Sequence, residues 1–207
     1  MHKQLKGKSS KTFATLLWKF RKLTPKQTKT ILSNKKKIMA KKYSNFGTQL
    51  RSKQLVSAVY GKLKLQTFKQ LLNHSHTYPG KITHSFFSLL EKRLDSCLVQ
   101  LKFAPTFLAA RQYINHHKIY VNNRIVNSPG FLLKPGDSVT LSLQMKHQVS
   151  LNLQTLYKSG LENQAKFYKP IQFEVNYKTL EAIFLFAPQQ IHYSTELNPE
   201  LVIKSFR

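Results

Sequence analysis

Apolar residues follow a helical repeat through SNFGTQLRSKQLVSAVYGKLKLQTFKQLL, residues 44–72. They stand at positions 50, 55, 56, 59, 60, 63, 68, 71 and 72, close to the 3.6-residue turn of an α-helix. Gly61 breaks the repeat, so the pattern predicts two helices or one kinked helix. The next stretch, residues 73–84, predicts a loop. Upstream, apolar residues between Phe13 and Phe20 predict a short amphipathic helix.

Two further helices are predicted between residues 85 and 118. The first, SFFSLLEKRLDSCLVQLKF, reads as one amphipathic helix because its apolar residues recur at three- and four-residue steps. The second, APTFLAARQYINHHK, has Thr106 behind Pro105 as its expected N-cap. Three of its residues are expected to face inward: Phe107, Ala110 and Ile114. Three others should share its outer side: Arg111, Asn115 and Lys118.

A β-hairpin is predicted directly after this second helix. The short β-prone runs KIYV and RIVN flank Asn122-Asn123. Asparagine tolerates the positive φ of a type I′ turn, which joins the two strands of many hairpins. SVTLSL, residues 138–143, alternates like a closing strand behind the Pro135-Gly136-Asp137 turn.

The last third of the chain is less regular. IQFEVNYKTLEAIFLF, residues 171–186, predicts two strands around a turn at residues 177–179. NPELVIKSF, residues 198–206, fits either a helix capped by Asn198 or a strand. Residues 144–168 are polar and fit a helix or a connector.

Charge divides the chain more sharply than hydropathy does. The sequence holds 34 Lys+Arg against 8 Asp+Glu, which gives a net charge of +26. Residues 1–90 carry twenty of the basic residues and no acid, whereas all eight acids lie within residues 91–207. Lysines without acids cannot serve intrahelical salt bridges, so their expected counter-surface is a phosphate backbone.

Several kinds of site are excluded or disfavoured. No apolar run approaches the roughly 18 residues of a membrane span, so no membrane partner is predicted. The single Cys97 excludes disulfide frameworks and cysteine zinc clusters, and we expect it to be a buried apolar residue. His74 and His76 lack a third ligand nearby. We therefore predict no metal site and no cofactor.

A family resemblance becomes specific between residues 93 and 141. RLDSCLVQLKFAPTFLAARQYINHHKIYVNNRIVNSPGFLLKPGDSVTL resembles the RNA-binding module named after the fourth protein of the small ribosomal subunit. The family pattern is matched at Arg93-Leu94-Asp95, Ala110-Arg111, Ile114-Asn115-His116, Val121-Asn122, Val126-Asn127 and Pro135-Gly136-Asp137. Residues 41–61 and 173–206 are similar to the ribosomal protein itself, so the resemblance covers about residues 40–207. His117 departs from the family's usual Gly or Lys.

The resemblance implies an α+β fold. It comprises a helical basic N-terminal region, a compact RNA-binding module of two helices packed on a small twisted antiparallel sheet, and C-terminal strands that fold back. We predict four segments: a basic arm at 1–42, a helical rRNA-binding region at 43–85, the module at 86–143, and a connector with closing strands at 144–207.

The resemblance also implies a function. It is that of a structural constituent of the small ribosomal subunit, a primary binder of a junction in the 5′ domain of small-subunit rRNA. Such a protein nucleates assembly and lies near the mRNA entry channel, beside mRNA and neighbouring ribosomal proteins. The residues expected at RNA are Lys41, Lys42, Tyr43, Gln49, Arg51, Lys53, Gln54, Tyr60, Lys62, Arg93, Arg111, Asn115, His116, His117, Lys118, Asn122, Asn123, Arg124 and Lys134. Asp95 is expected to hold Arg93 or to cap local backbone.

Other functions are weaker matches. The chain shows no glycine-rich phosphate loop and no nucleophile–base pairing, so we predict that it is not an enzyme. We expect no homo-oligomer. The alternative is a non-ribosomal RNA-binding factor, for ribosome rescue or RNA modification, that uses the same module.

Composition guides the expected compartment. Lysine exceeds arginine by 28 to 6 and glycine numbers only 7, a bias expected of an AT-rich gene. The start of the chain resembles no transit peptide strongly, since Arg21 is the only arginine before residue 51. We expect a mitochondrial ribosome and a gene in the organelle, with a plastid or a bacterial cytoplasm as alternatives.

Overall fold

The computed structural model describes residues 12–14, 24–40, 42–158, 170–188 and 198–206. Contacts divide the chain into two compact units. One is drawn from residues 1–69 and 192–207, and the other from residues 70–191. The C-terminal residues thus belong with the N-terminal part of the chain rather than with the strands that precede them.

The first unit is helical in its described parts. Helix α1 spans Pro25–Ala40 and helix α2 spans Asn45–Val59. Ser44 caps α2, because its Oγ accepts the N–H of Gly47 at 3.2 Å. Helix α3, Leu65–Ser75, begins here and continues into the second unit.

The predicted break at Gly61 is confirmed as two separate helices. Gly61 and Lys62 both adopt positive φ, 67° and 58°, which ends α2. The turn is held by Ser57, whose Oγ donates to the Leu63 carbonyl at 3.1 Å. A left-handed pair of residues at this point prevents a single kinked helix.

The C-terminal segment forms a helix, which settles the two alternatives for residues 198–206. Helix α8 spans Pro199–Lys204, and the Asn198 side chain accepts the N–H of Leu201. It packs against α2. The Phe206 ring stacks on buried Phe68, with ring centroids 5.5 Å apart.

The second unit begins with helices that differ from two predictions. Helix α3 extends to Ser75, whose buried Oγ donates to the Leu72 carbonyl, so the predicted loop at 73–84 shrinks to residues 76–81. Helix α4 spans Ile82–Glu91 and helix α5 spans Leu94–Gln100. The prediction of one helix over residues 85–103 was therefore wrong.

The break between α4 and α5 has a tertiary cause. Arg93 is extended, with φ −64° and ψ 139°, and forms a β-bridge with Leu132. The Leu94 N–H donates to the Phe131 carbonyl at 2.8 Å, and the Leu133 N–H donates to the Lys92 carbonyl at 3.0 Å. A distant loop thus takes backbone bonds that a continuous helix would have kept.

Helix α6, Phe107–Asn115, confirms the second predicted helix of this region. The Oγ1 of Thr106 accepts the N–H of Ala109 at 3.2 Å. Phe107, Ala110 and Ile114 are buried as expected.

A five-stranded antiparallel sheet follows. Its strands are β1 (Ile119–Val121), β2 (Arg124–Ile125), β3 (Ser138–Leu141), β4 (Phe173–Asn176) and β5 (Glu181–Phe184). Their order in the sheet is β2-β1-β3-β5-β4. Because Ala182 of β5 pairs with Val139 of β3, and Val139 with Val121 of β1, one sheet unites the module with the C-terminal strands. The predicted fold-back of these strands is confirmed.

Helix α7, Leu143–Lys158, covers most of the stretch left open as a helix or a connector. Met145, Val149 and Leu153 form its buried side at three- and four-residue steps. Among the described residues, no helix has the length and apolar content needed to cross a membrane.

Candidate nucleic-acid interface

The end of α6 presents a group of polar side chains to solvent. Asn115, His116 and His117 are exposed, and Lys118 is half-buried. His117 has a φ of 56°, which ends the helix and turns the chain into β1. The Lys118 N–H closes this turn by donating to the Tyr113 carbonyl at 3.1 Å. Four consecutive residues predicted to contact RNA therefore lie on one short surface.

The hairpin between β1 and β2 follows directly in the chain and carries a further basic residue, Arg124. Asn122 and Asn123 have φ of 50° and 61°, as the predicted type I′ turn requires. Arg124 follows directly, exposed and paired in register with Val121. This tight turn fixes the backbone from which the Arg124 side chain extends.

The Asn122 side chain forms hydrogen bonds within the protein. Its Oδ1 accepts the N–H of Ser138 at 2.9 Å, and its Nδ2 donates to Asp137 Oδ1 at 2.8 Å. The other Asp137 oxygen accepts the N–H of Lys134 at 2.7 Å. Asp137 is thus the turn residue that its sequence context predicted, and it positions the backbone of Lys134.

A buried carboxylate lies behind α6. Asp95 is 1% exposed, and its two oxygens accept from Nε and Nη2 of Arg93, both at 3.1 Å. Nε of Arg111 donates to Asp95 Oδ2 at 2.8 Å. The Ser96 N–H completes the cluster at 3.0 Å. The expectation that Asp95 holds Arg93 is confirmed, and its bond with Arg111 was not foreseen.

Two of the predicted RNA-contact residues lie in the interior. Arg93 is 6% exposed and Tyr60 is 2% exposed. Arg93 is occupied by Asp95, and a side chain on Gly130 would approach its Nη1 to 3.2 Å. Because both side chains are buried, neither belongs to the RNA-binding face proposed for this chain.

In the first unit, predicted residues gather around α2. Arg51 Nη1 donates to the Tyr43 hydroxyl at 2.7 Å, and its guanidinium stands 5.3 Å from the centre of that ring. Lys53 holds its ammonium 4.8 Å from the Phe206 ring centre. Lys53, Gln54 and Lys62 all line one cavity of about 560 Å³. The ring contacts hold the cationic groups of Arg51 and Lys53, both on α2, beside aromatic side chains.

The remaining residues expected at RNA differ in their exposure. Lys42 and Lys134 are exposed, and Gln49 is half-buried. Lys41 lies outside the described residues. Sequence reasoning left out the exposed lysines of α1, which are Lys26, Lys29, Lys35 and Lys36. They stand at intervals of three, six and one residues along a helix that contains no acidic residue.

Other chemistry finds little support in this geometry. Within the described ranges, no three His, Cys, Asp or Glu side chains gather where they could hold a metal ion. Cys97 is buried, and burial raises the pKa of its thiol well above the ordinary value, which disfavours a reactive thiolate. The surface of α6 and the hairpin is suited instead to hydrogen bonds and charge contacts with an anion.

Comparisons with known proteins agree with this geometry. The model of the S4 domain family matches residues 92–139, which contain the Asp95 cluster, α6 and the hairpin. The chain is 37% identical over 186 residues to small ribosomal subunit protein uS4m of Marchantia polymorpha, covering 90% of this chain and 92% of that protein. It is 32% identical to small ribosomal subunit protein uS4 of Phenylobacterium zucineum, over 80% of this chain and 78% of that protein. A uS4 protein of a Chelativorans strain is 33% identical over the same shares.

Proposed function

The chain belongs to the uS4 family of small ribosomal subunit proteins, and on this premise we propose where and how it binds small-subunit rRNA. It is a structural constituent of the ribosome. The binding face we propose in its second unit consists of α6 and the hairpin, with Arg111, Asn115, His116, His117, Lys118, Asn123, Arg124 and Lys134. In its first unit the binding face is α2 with the lysines around it.

The observation that carries this proposal is the clustering of exposed donors at the end of α6. Asn115, His116 and Arg124 offer hydrogen bonds or positive charge from rigid backbone. Phosphate contacts from such groups supply affinity and register, whereas the shape of a folded RNA supplies selectivity. A helix end joined to a tight hairpin can match one RNA shape and reject others.

The target within the ribosome follows from the family resemblance. We place the binding site at a junction in the 5′ domain of the small-subunit rRNA, where the protein binds early and nucleates assembly. Its further neighbours are other small-subunit proteins and the mRNA near its entry channel. The acid-free N-terminal part supports this role, because a +20 segment needs a large polyanion beside it.

For the compartment, we propose the mitochondrial ribosome. The mitochondrial-type relative from Marchantia matches 90% of this chain, whereas the relatives from Phenylobacterium zucineum and the Chelativorans strain match 80%. The excess of lysine over arginine suits an AT-rich organellar gene. Labelling the protein in cells and separating organelles tests this directly, and sedimentation with plastid ribosomes contradicts it.

Footprinting on rRNA tests the binding site. The wild-type protein should protect one 5′-domain junction, and Arg124→Gln should weaken that binding on the order of tenfold, or about 1.4 kcal/mol. It should also reduce the salt dependence by about one phosphate contact. Lys178→Gln is the matched control, because Lys178 is exposed in the turn after β4, at the opposite edge of the sheet from Arg124. Equal effects of the two variants contradict the proposed face.

A further inference from the structure

Asp95 is an unexpected residue in a protein of this charge. Only 8 acidic residues stand against 34 basic ones, yet one of them is buried beside two arginines at the back of α6. A carboxylate near a phosphate-binding face opposes long-range attraction to RNA. Its presence there therefore needs a benefit other than affinity.

The contacts of Asp95 show what it connects. It lies in the first turn of α5, and through Arg111 it binds α6. Its own N–H donates to the Pro129 carbonyl at 3.3 Å, which ties the same residue to the loop before β3. The Asp95 carboxylate thus joins α5 to α6, and the backbone N–H of the same residue adds the loop before β3.

Arg111 is the member of this cluster that approaches the surface. Its side chain is 20% exposed, whereas that of Arg93 is 7% exposed. Asp95 binds Arg111 through Nε, which fixes the plane and direction of the guanidinium. Arg111 stands one helical turn before Asn115 on α6, so both share one side of that helix.

We propose that Asp95 is a positioning residue for site-specific RNA recognition, because it sets the direction of Arg111 and the placement of α6 behind the RNA-binding face. The inference rests on the proposed function. Asp95 does not contact RNA itself. Its charge slightly weakens the general electrostatic attraction to RNA, but its bonds fix the arrangement of the hydrogen-bond donors. A fixed arrangement of donors allows the protein to distinguish one RNA junction from another.

This role predicts effects of opposite sign on two affinities. Asp95→Asn removes a negative charge, so binding to a duplex of arbitrary sequence should stay equal or tighten slightly. Binding to the 5′-domain junction RNA should weaken about tenfold, because Arg111 loses its charged partner. The ratio of the two affinities, measured at one salt concentration, is therefore the informative quantity.

Two control variants separate positioning from simpler explanations. Glu181→Gln makes the same change of charge on β5, outside the matched S4 domain, and should leave the ratio unchanged. Leu153→Ala truncates a buried residue of α7 and should lower the unfolding midpoint without changing the ratio, at a temperature where the variant is folded. If Leu153→Ala lowers the ratio as much as Asp95→Asn does, Asp95 acts only through stability and the proposal fails.

Arg111→Lys keeps the test decisive if Asp95→Asn does not fold. Asp95 remains paired with Arg93 in that variant, and lysine keeps the charge but cannot reproduce the Nε bond. The affinity for the junction RNA should fall about tenfold relative to the affinity for the arbitrary duplex. An unchanged ratio in this variant overturns the inference. A wild-type protein that shows no preference for the junction RNA instead contradicts the proposed function.

Discussion

Asn122 is where the hairpin can be tested most directly. It stands at a φ of 50°, and its side chain bonds with Ser138 and Asp137 across the β1–β3 boundary. Asn123 has almost the same backbone, with a φ of 61°. Substituting each by glycine therefore changes backbone freedom equally, and the two variants differ chiefly in the side-chain bonds of Asn122.

The expected magnitudes follow from these contacts. Asn122→Gly loses bonds to the Ser138 N–H, the Ser138 hydroxyl and Asp137, at 2.9, 3.3 and 2.8 Å. At a solvent-exposed site, this loss should lower the free energy of unfolding by about 1–2 kcal/mol. Asn122→Ala should cost about 1 kcal/mol more, because a Cβ at positive φ adds strain. Asn123→Gly should change stability by less than about 0.5 kcal/mol.

Urea unfolding followed by circular dichroism measures these differences. The urea midpoint should be highest for Asn123→Gly, lower for Asn122→Gly and lowest for Asn122→Ala. The slope of the unfolding free energy against urea should be similar for all three. If Asn122→Gly and Asn123→Gly have the same midpoint, the side-chain bonds of Asn122 contribute nothing and the reasoning is refuted. If Asn122→Ala equals Asn122→Gly, the strain argument fails instead.

Three further experiments test separate features. His117→Gly should stabilise the protein by up to about 1 kcal/mol in urea, since glycine adopts the 56° φ without strain; a lower midpoint contradicts this. Burial lowers the pKa of Lys102 from its ordinary 10.5 to about 8. Between these two values the unfolded chain binds more protons than the folded one, so the free energy of unfolding should rise between about pH 8 and 10. Lys102→Gln should flatten that rise, and an identical pH profile refutes the assignment. The exposed Lys146–Glu181 pair, at 3.1 Å, should contribute less than about 1 kcal/mol in a double-mutant cycle.

Local chemistry was sufficient to predict α6 and its hairpin. Thr106 as the cap and Asn122-Asn123 as the turn each act within a few residues, so sequence patterns contain the necessary information. The choice at residues 198–206 also follows a local rule in retrospect. The Asn198 cap and Pro199 favour a helix, although the apolar run after them suits a strand equally well.

The break between α4 and α5 could not be predicted in this way. The apolar repeat continues across Lys92 and Arg93 because both helices are buried on several sides. The chain departs from a helix there because the backbone of Phe131 and Leu133, almost forty residues away, forms hydrogen bonds with Leu94 and Lys92. Periodicity reports burial, and it does not report which backbone partner a residue takes.

In the candidate interface, too, some features follow from local sequence and others only from tertiary contacts. Exposed positions such as Asn115, His116 and Arg124 follow from the outer side of a helix and the edge of a hairpin. The burial of Arg93 does not, because a basic residue in a basic protein is expected at the surface. The nearby Asp95 was a hint, but only the fold brings Arg111 to the same carboxylate.

Four acidic residues form hydrogen bonds or ion pairs within the described part of the chain, and these contacts suggest why so cationic a protein retains carboxylates. The Asp95 carboxylate joins α5 to α6, Asp137 orders a turn, Glu91 accepts from Gln100, and Glu181 pairs with Lys146. Each of the four serves an internal contact. Acids that only balanced surface charge would weaken RNA binding, whereas acids with such contacts stabilise the fold that presents the cations. Replacing Asp95 by Asn should therefore weaken binding to the junction RNA while its non-specific affinity for RNA stays equal or rises slightly.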